Sequence, residues 1–510
     1  MKIKYLLGGL AFATVFAFIP AACSLDYEPE AQYSEITEGQ EEGDKEEDTS
    51  EFKNKAAIDG QMQQIYKLMR DRQEHWYVDV LLIAEAHADN AYAGTTGAEV
   101  VPFENNSIEG SNSVLDRDWS RYLSDVGQAN KIIYNVDNVK DGSFTTTERE
   151  QYKAQAKIFR AMVYFDMVRL WGRVPLITGL ADDITSENVG EIYPQYFPEQ
   201  HEEEEVYALI EQDLLESLQY APDNNSGDKT LFTKSVAHTL LTKVYAEKTL
   251  RDYNKVIEYA DKVTAAGFDL VDFNDLFGMN EANTDTKVRN TKESILEAQF
   301  FTGNGNWCTW MFGRDLANWE SNFTWAKWVT PSRDLINLYN EEGDKIRSAE
   351  SIVYYDCTWS NYYPGSEYPF MYKCRSAYSS IIKYRYADVL LLKAEALIMK
   401  ASPDLEAAAN IIDKIRNRAG LGKLSASVRS NKDSMLNALL KERRMELAFE
   451  GQRWFDLCRL DKVEEVMNAV YAKDSGRKTQ VYPFDENSYK LAIPQGAIDQ
   501  NPNLTQNPGY

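Results

Sequence analysis

Apolar residues recur at three- and four-residue spacing over most of the chain, which places them on one face of an α-helix. The pattern predicts helices over 56–75, 77–92, 119–139, 147–171, 202–220, 232–250 and 253–266, and again over 382–400 and 404–418. Few segments alternate with the period of two that a half-buried strand needs. Stop signals agree: Gly267 and Gly420 stand where a left-handed residue closes a helix, and Ser402-Pro403 reads as an N-cap followed by a first-turn proline. Segments 382–418 and 232–266 each read as an antiparallel helical hairpin about as long as one tetratricopeptide unit. Ala387, Ala394 and Ala396 in the first, and Ala237, Ala246 and Ala260 in the second, stand where closely packed helices need small residues. The consensus Trp, Leu, Gly and Tyr positions of that repeat are not kept. The expected fold is therefore all-α: degenerate tetratricopeptide-like hairpins forming one large domain over 53–510, with long irregular loops. From 268 to 380 the helical period fades while Gly, Asn and aromatics rise, and long irregular excursions from a compact scaffold are commonly functional. The Pro- and Asn-rich end, 482–510, is expected to lie extended across the helices.

The beginning of the chain adds an address. Lys2 and Lys4 precede an uncharged run over 5–22, the basic and apolar regions of a secretory signal, so 1–22 reads as a signal peptide. A retained transmembrane anchor is the competing reading of that run. Pro20, Ala21 and Ala22 leading into Cys23 favour cleavage and lipidation of Cys23. Glu41, Glu42, Asp44, Glu46, Glu47 and Asp48 follow with hardly an apolar residue among them, so 23–52 reads as a lipidated Cys and acidic flexible tether. Eighty Asp and Glu against 55 Lys and Arg give a net charge of -25. Such a surface repels phosphate backbones and anionic headgroups, which argues against nucleic-acid binding and peripheral membrane binding. Cys308, Cys357, Cys374 and Cys458 show neither a Cys-x-x-Cys nor a zinc spacing. Export permits a disulfide, and Cys357 with Cys374 is the nearest pair in sequence.

Candidates for catalysis are few. His75, His87, His201 and His238 form no metal-binding spacing, and no glycine-rich phosphate loop or Gly-x-Ser-x-Gly elbow occurs, so no cofactor or metal is implied. Glu85, His87 and Asp89 lie close together and read as a solvated helix end rather than a metal site. Glu442, Glu446 and Glu450 fall at four-residue intervals, expected on one helical face, with Arg443, Arg444 and Arg453 beside them. Two such carboxylates could serve a glycosidase as acid and base. The stronger reading is an ion-pair network clamping neighbouring helices, with Trp454, Phe455 and Leu457 burying that face.

The aromatic content is high, with 31 Tyr, 21 Phe and 10 Trp, and five of the tryptophans crowd into 300–328: Trp307, Trp310, Trp319, Trp325 and Trp328. Phe301, Phe312 and Phe323 accompany them, with Asn304, Asn306, Arg314, Asp315, Asn318 and Asn322. About half of these rings suit a local core. The spacing follows neither 3.6 nor 2, so they do not all face one interior. Flat rings stack on the C–H faces of sugars or on peptide side chains, while nearby amides and charges orient hydroxyls or backbone. Trp307, Trp310, Trp319, Trp325 and Asn306 are the candidate ligand contacts.

Several motifs in order are recognisable. They are Tyr384-Arg385-Tyr386-Ala387-Asp388 running on to Lys393-Ala394-Glu395-Ala396; Glu442-Arg443-Arg444 through Glu446-Leu447-Ala448-Phe449-Glu450-Gly451 to Arg453-Trp454-Phe455-Asp456-Leu457; Phe159-Arg160-Ala161 through Arg169-Leu170-Trp171-Gly172 to Val174-Pro175-Leu176; and the ending Asn501 to Tyr510. With the Cys23 lipobox, these resemble the SusD/RagB family of Bacteroidetes outer-membrane nutrient-binding lipoproteins. Asp89-Asn90 resembles that family's N-terminal Ser-Asp-Asn loop, with Ala88 in the Ser position, and joins the candidate ligand contacts on that ground. The resemblance implies a non-catalytic, lipid-anchored protein on the outer-membrane surface, facing the cell exterior. It would capture an oligosaccharide, or a peptide in the RagB manner, and pass it to a SusC-like TonB-dependent transporter. A surface glycoside hydrolase and a helical scaffold that binds only protein are the rival readings.

Overall fold

The computed structural model describes residues 52–94, 97–181, 184–223, 227–301, 303–316, 327–359 and 362–510. The signal run, Cys23, the tether to Glu51, Trp319 and Trp325 lie outside the described residues.

The periodic segments fold as helices with side-chain caps. Helix Lys55–Asp71 starts on Asn54, whose side chain accepts the Ala57 amide at 3.0 Å, and helix Thr146–Trp171 starts on a Thr145/Glu148 capping box. Both satisfy amides that the first turn leaves without partners. Helices Ser113–Asn135, Thr146–Trp171, Glu203–Ser217, Lys234–Val244, Tyr253–Ala265, Tyr386–Met399, Leu405–Arg418 and Lys432–Glu446 pack each against the next. The alanines singled out for close packing are all buried. Gly267 and Gly420 take φ of 90° and 74°, left-handed as expected. The tail is stitched down by Asn507, which donates to the carbonyls of Trp171 and Leu491 at 2.8 and 2.7 Å.

Local departures have local causes. The cap before Leu405 is Asp404, accepting the Ala407 amide at 3.0 Å, rather than Ser402. The expected helix over 382–400 begins only at Tyr386, because Ile381–Arg385 pairs antiparallel with the fully buried strand Ser294–Ala298. β-branched Ile381 and Ile382 suit that pairing. Among the described residues the 268–380 excursion holds the helices Phe273–Phe277, Trp307–Met311, Arg333–Glu342 and Lys345–Ser351, too short for periodicity to announce. Its strand Ile352–Tyr355 pairs with Tyr368–Met371, and Thr330–Pro331 pairs with Ala91–Tyr92. One hydrophobic core runs from Ile58 to Leu504.

Inside that core lies an ionic clamp. Arg385 bonds Glu293 at 2.8 Å, Glu446 at 2.6 Å and Glu450 at 2.6 Å, and Arg347 bonds Glu442 at 2.6 Å. Arg418 reaches Glu293 and Glu446, and Arg443 joins Asp388 at 2.9 Å to Asp456 at 2.8 Å. Burial pushes the Glu446 carboxyl up, but Arg418, Arg385 and Arg347 outweigh it and hold it well below the usual carboxylate range. At Glu442 burial wins over Arg347 and Arg416, and the carboxyl is pushed up. The three glutamates do not share a helix face as expected. The helix ends at Glu446, and Phe449 and Gly451, at φ of 62° and 73°, turn the chain so that Glu450 meets the same Arg385 from beyond the helix. Trp454, Phe455 and Leu457 are buried, as the clamp reading requires.

Candidate functional site

Helix Trp307–Met311 carries the exposed rings. Its start is fixed by Asn306, whose side chain accepts the Cys308 amide at 2.9 Å and donates to the Ser379 carbonyl at 2.8 Å. Gln73, buried just past helix Lys55–Asp71, donates to the Gly305 carbonyl and accepts the Trp307 amide, both at 2.8 Å. Asn304 donates to Asp71 at 2.8 Å, and the Thr309 hydroxyl donates to the Ser376 carbonyl at 2.8 Å. A short helix that could not hold itself is thus gripped from two sides.

On this frame Trp307 is 40%, Trp310 62% and Phe301 51% exposed, although large aromatics are normally drawn inside. Trp307 and Trp310 stand three residues apart in the helix, so they are neighbours on its surface. Arg289 lies over the Phe301 ring at 4.5 Å, and Arg314 over the exposed Tyr355 ring at 3.5 Å. Phe301 also lines a surface cavity of about 610 Å³ with Tyr66, Arg70, Asp228, Glu297 and Gln299. Burial pushes the Asp71 carboxyl up, but Arg70 and the Asn304 amide outweigh this and lower it. Flat apolar faces bordered by amides, guanidinium groups and ionised carboxylates can bind a polyhydroxylated ligand by stacking and hydrogen bonding.

The other expected contacts divide. Trp328 and Phe312 pack with the core. Asn306 is buried and its amide is engaged as described, so its expected contact with ligand gives way to support of the Trp307 helix. Asp89 and Asn90 are corrected in the same way. Asp89 receives Arg453 in two parallel bonds of 2.7 and 2.8 Å, and Asn90 accepts from Arg444 at 2.8 Å and donates to Glu85 at 2.8 Å. Burial pushes the Asp89 carboxyl up, but Arg444 and Arg453 outweigh it and hold it well below the usual range. Glu85, His87 and Asp89 are therefore interior groups with partners, not a solvated helix end: Glu85 also accepts the Gly451 amide at 3.0 Å, and a ring nitrogen of His87 bonds the Phe103 carbonyl at 2.7 Å. The backbone of the loop holds the start of helix Arg333–Glu342, since the Asp89 and Asn90 carbonyls accept from the hydroxyl and amide of its cap Ser332 at 2.7 and 2.9 Å. Sequence reasoning missed Asp71 and Gln73, whose partners lie more than two hundred positions away with no local signal.

Fold and surface together define a helical-repeat binding scaffold with an aromatic platform on its irregular excursion. The family described as SusD family matches residues 272–510, and one described as "Starch-binding associating with outer membrane" matches residues 40–246. The chain belongs to the SusD/RagB family. A SusD-like protein of Formosa agariphila is 28% identical over 479 residues, covering 84% of this chain and 87% of the relative. One from Bacteroides ovatus is 26% identical over 494 residues, covering 88% and 81%. Among solved structures, a SusD homolog of Bacteroides thetaiotaomicron superposes with a TM-score of 0.72 at 23% identity, covering 90% of this chain and 97% of that one. A laminarin-binding SusD-like protein superposes at 0.69 and 22% identity, covering 90% and 100%. These similarities establish the fold as the helical, tetratricopeptide-like one expected.

Proposed function

We propose that this protein is a non-catalytic capture protein for an oligosaccharide at the outer-membrane surface, binding it on Trp307, Trp310 and Phe301. The observation that carries this reading is the exposure of three large rings on a helix and loop that buried hydrogen bonds hold in place. Rings fixed before the ligand arrives lose little freedom on binding. Trp319 and Trp325, from the same aromatic-rich segment, are proposed to extend the platform. The carboxylates that a hydrolase would need favour the same reading, because Glu442 and Glu446 are buried in ion pairs with arginine. The laminarin binding of a structural neighbour makes β-glucan oligosaccharides the first ligands to try.

Lipidation at Cys23 and transfer of the ligand to a SusC-like TonB-dependent transporter complete the proposal. The acidic, apolar-poor composition over 23–52 suits a tether that would keep the domain near a membrane partner. The test is to incubate the purified protein with a panel of glycans, measuring affinity and the product profile together. Binding with an unchanged product profile is expected; cleavage of a glycan, or affinity for none, overturns the reading. Cys23→Ala should abolish fatty-acid labelling, and purification of the tagged lipoprotein in mild detergent should recover a TonB-dependent barrel in near-equal amount.

A further inference from the structure

Cys308 and Cys374 lie far apart in the sequence and are brought together in the core. The segment around Cys308 is laced to the one following Cys374: the Asn306 amide donates to the Ala377 carbonyl at 2.8 Å, the Thr309 hydroxyl to the Ser376 carbonyl at 2.8 Å, and the Leu316 amide to the Arg375 carbonyl at 2.8 Å. Gly313 touches both cysteines. Its amide donates to the Cys308 carbonyl at 3.2 Å, and a Cβ placed on it would stand 2.5 Å from the Cys374 carbonyl. Both residues line one small cavity of about 60 Å³, and both belong to the main core. Cys357, the partner that sequence proximity offers, packs instead in a separate small cluster with Tyr368 and Phe370. All four described cysteines are free thiols in this structure.

We infer that Cys308 and Cys374 are joined by a disulfide in the exported protein, fixing the base of the aromatic platform to the segment behind it. The two S–H bonds break and one S–S bond forms. Two electrons and two protons pass to a protein disulfide of the export compartment by thiol–disulfide exchange, which leaves as the dithiol. Burial first, and the neighbouring Cys374 next, push the Cys308 thiol well up, so little thiolate is available once the chain has folded. The bond therefore forms during folding and is sheltered from reductants afterwards. The pin sits where it matters: Cys308 is in the same short helix as Trp307 and Trp310, and a covalent link there adds to the hydrogen bonds through Gln73, Asn306 and Thr309 that hold it.

The full chain, isolated from cell envelopes without reductant, is denatured in guanidinium with an alkylating reagent, digested and mapped by mass spectrometry. Cys357 and Cys458 are expected to be alkylated. The peptide carrying Cys308 should appear joined to that carrying Cys374, two hydrogens lighter than their sum and separable by reductant. Alkylation of all four cysteines, or a bridge between Cys357 and Cys374, overturns the inference. Cys308→Ser should make Cys374 alkylable and lower the melting temperature; if that variant does not fold, the map of the native chain still decides. The mapping reads the bond whether or not any glycan binds, so failure of the bridge and failure of the capture reading are separate results.

Discussion

Arg385 and Glu446 in the ionic clamp are 2% exposed or less, whereas Trp310 on the platform is 62% exposed. Each region holds a type of side chain where it is normally costly. The clamp contains charges in the core and pairs them with one another, and the platform leaves large aromatic area exposed. The difference teaches what each is for. Each charged member of the clamp has found an ion-pair partner in the interior, away from the surface a ligand would meet. Open rings on a frame held by the hydrogen bonds of Gln73, Asn306 and Thr309 are what the proposed capture surface rests on.

The comparison breaks most visibly at the clamp. Glu446→Ala leaves Arg385, Arg347 and Arg418 short of a shared partner, and loss of one member of a buried ionic group costs about 3 to 5 kcal/mol. Urea unfolding should show that loss, with glycan affinity retained in whatever fraction stays folded. Next in size is Trp310→Ala, which should cost about 1 to 3 kcal/mol of binding, the scale of one large ring covered or stacked, with a melting temperature close to wild type. If Trp310→Ala instead melts low, the ring belongs to the core and the contrast collapses.

Gln73→Ala sharpens the contrast by removing a frame contact without touching the rings. About 1 kcal/mol of stability is expected to go with the lost bonds, together with a smaller loss of affinity than Trp310→Ala gives. The smallest effect comes from mild acid. Asp89, Asp388 and Glu446 have carboxyls held below their ordinary values of 3.8, 3.8 and 4.5. Their contribution to stability is therefore complete above those ordinary values and is lost as pH falls below them towards the lowered folded values. The urea midpoint should fall between pH 4.5 and pH 3 through these groups, while affinity changes little from pH 7 to pH 5, where the rings are neutral and the Asp71 carboxyl, itself lowered, stays ionised.

The helical scaffold was legible because amphipathic spacing, alanine placement and the glycines at 267 and 420 are local signals that survive folding. Ile381–Arg385 misled because a strand of five residues takes its identity from its partner at 294–298, which no local pattern reveals. The aromatic density around Trp307 and Trp310 drew attention to rings that the structure leaves exposed, and the capture role proposed for them rests on that exposure. The Asp89-Asn90 loop pointed the wrong way, since a polar pair reads alike whether it faces solvent or arginines from a segment more than three hundred and fifty positions distant. Burial is a property of the fold, and only the structure could separate the polar residues that hold the platform from the rings that form it.

The claim that the platform is the capture surface is tested most directly by calorimetric titration of wild type and the Trp307→Ala/Trp310→Ala double variant with β-glucan oligosaccharides and a wider glycan panel, with melting curves of both proteins. The account predicts that at least one glycan binds wild type and that its heat of binding vanishes in the double variant at a nearly unchanged melting temperature. A double variant that binds as wild type does, or a wild type that binds no glycan, would contradict it.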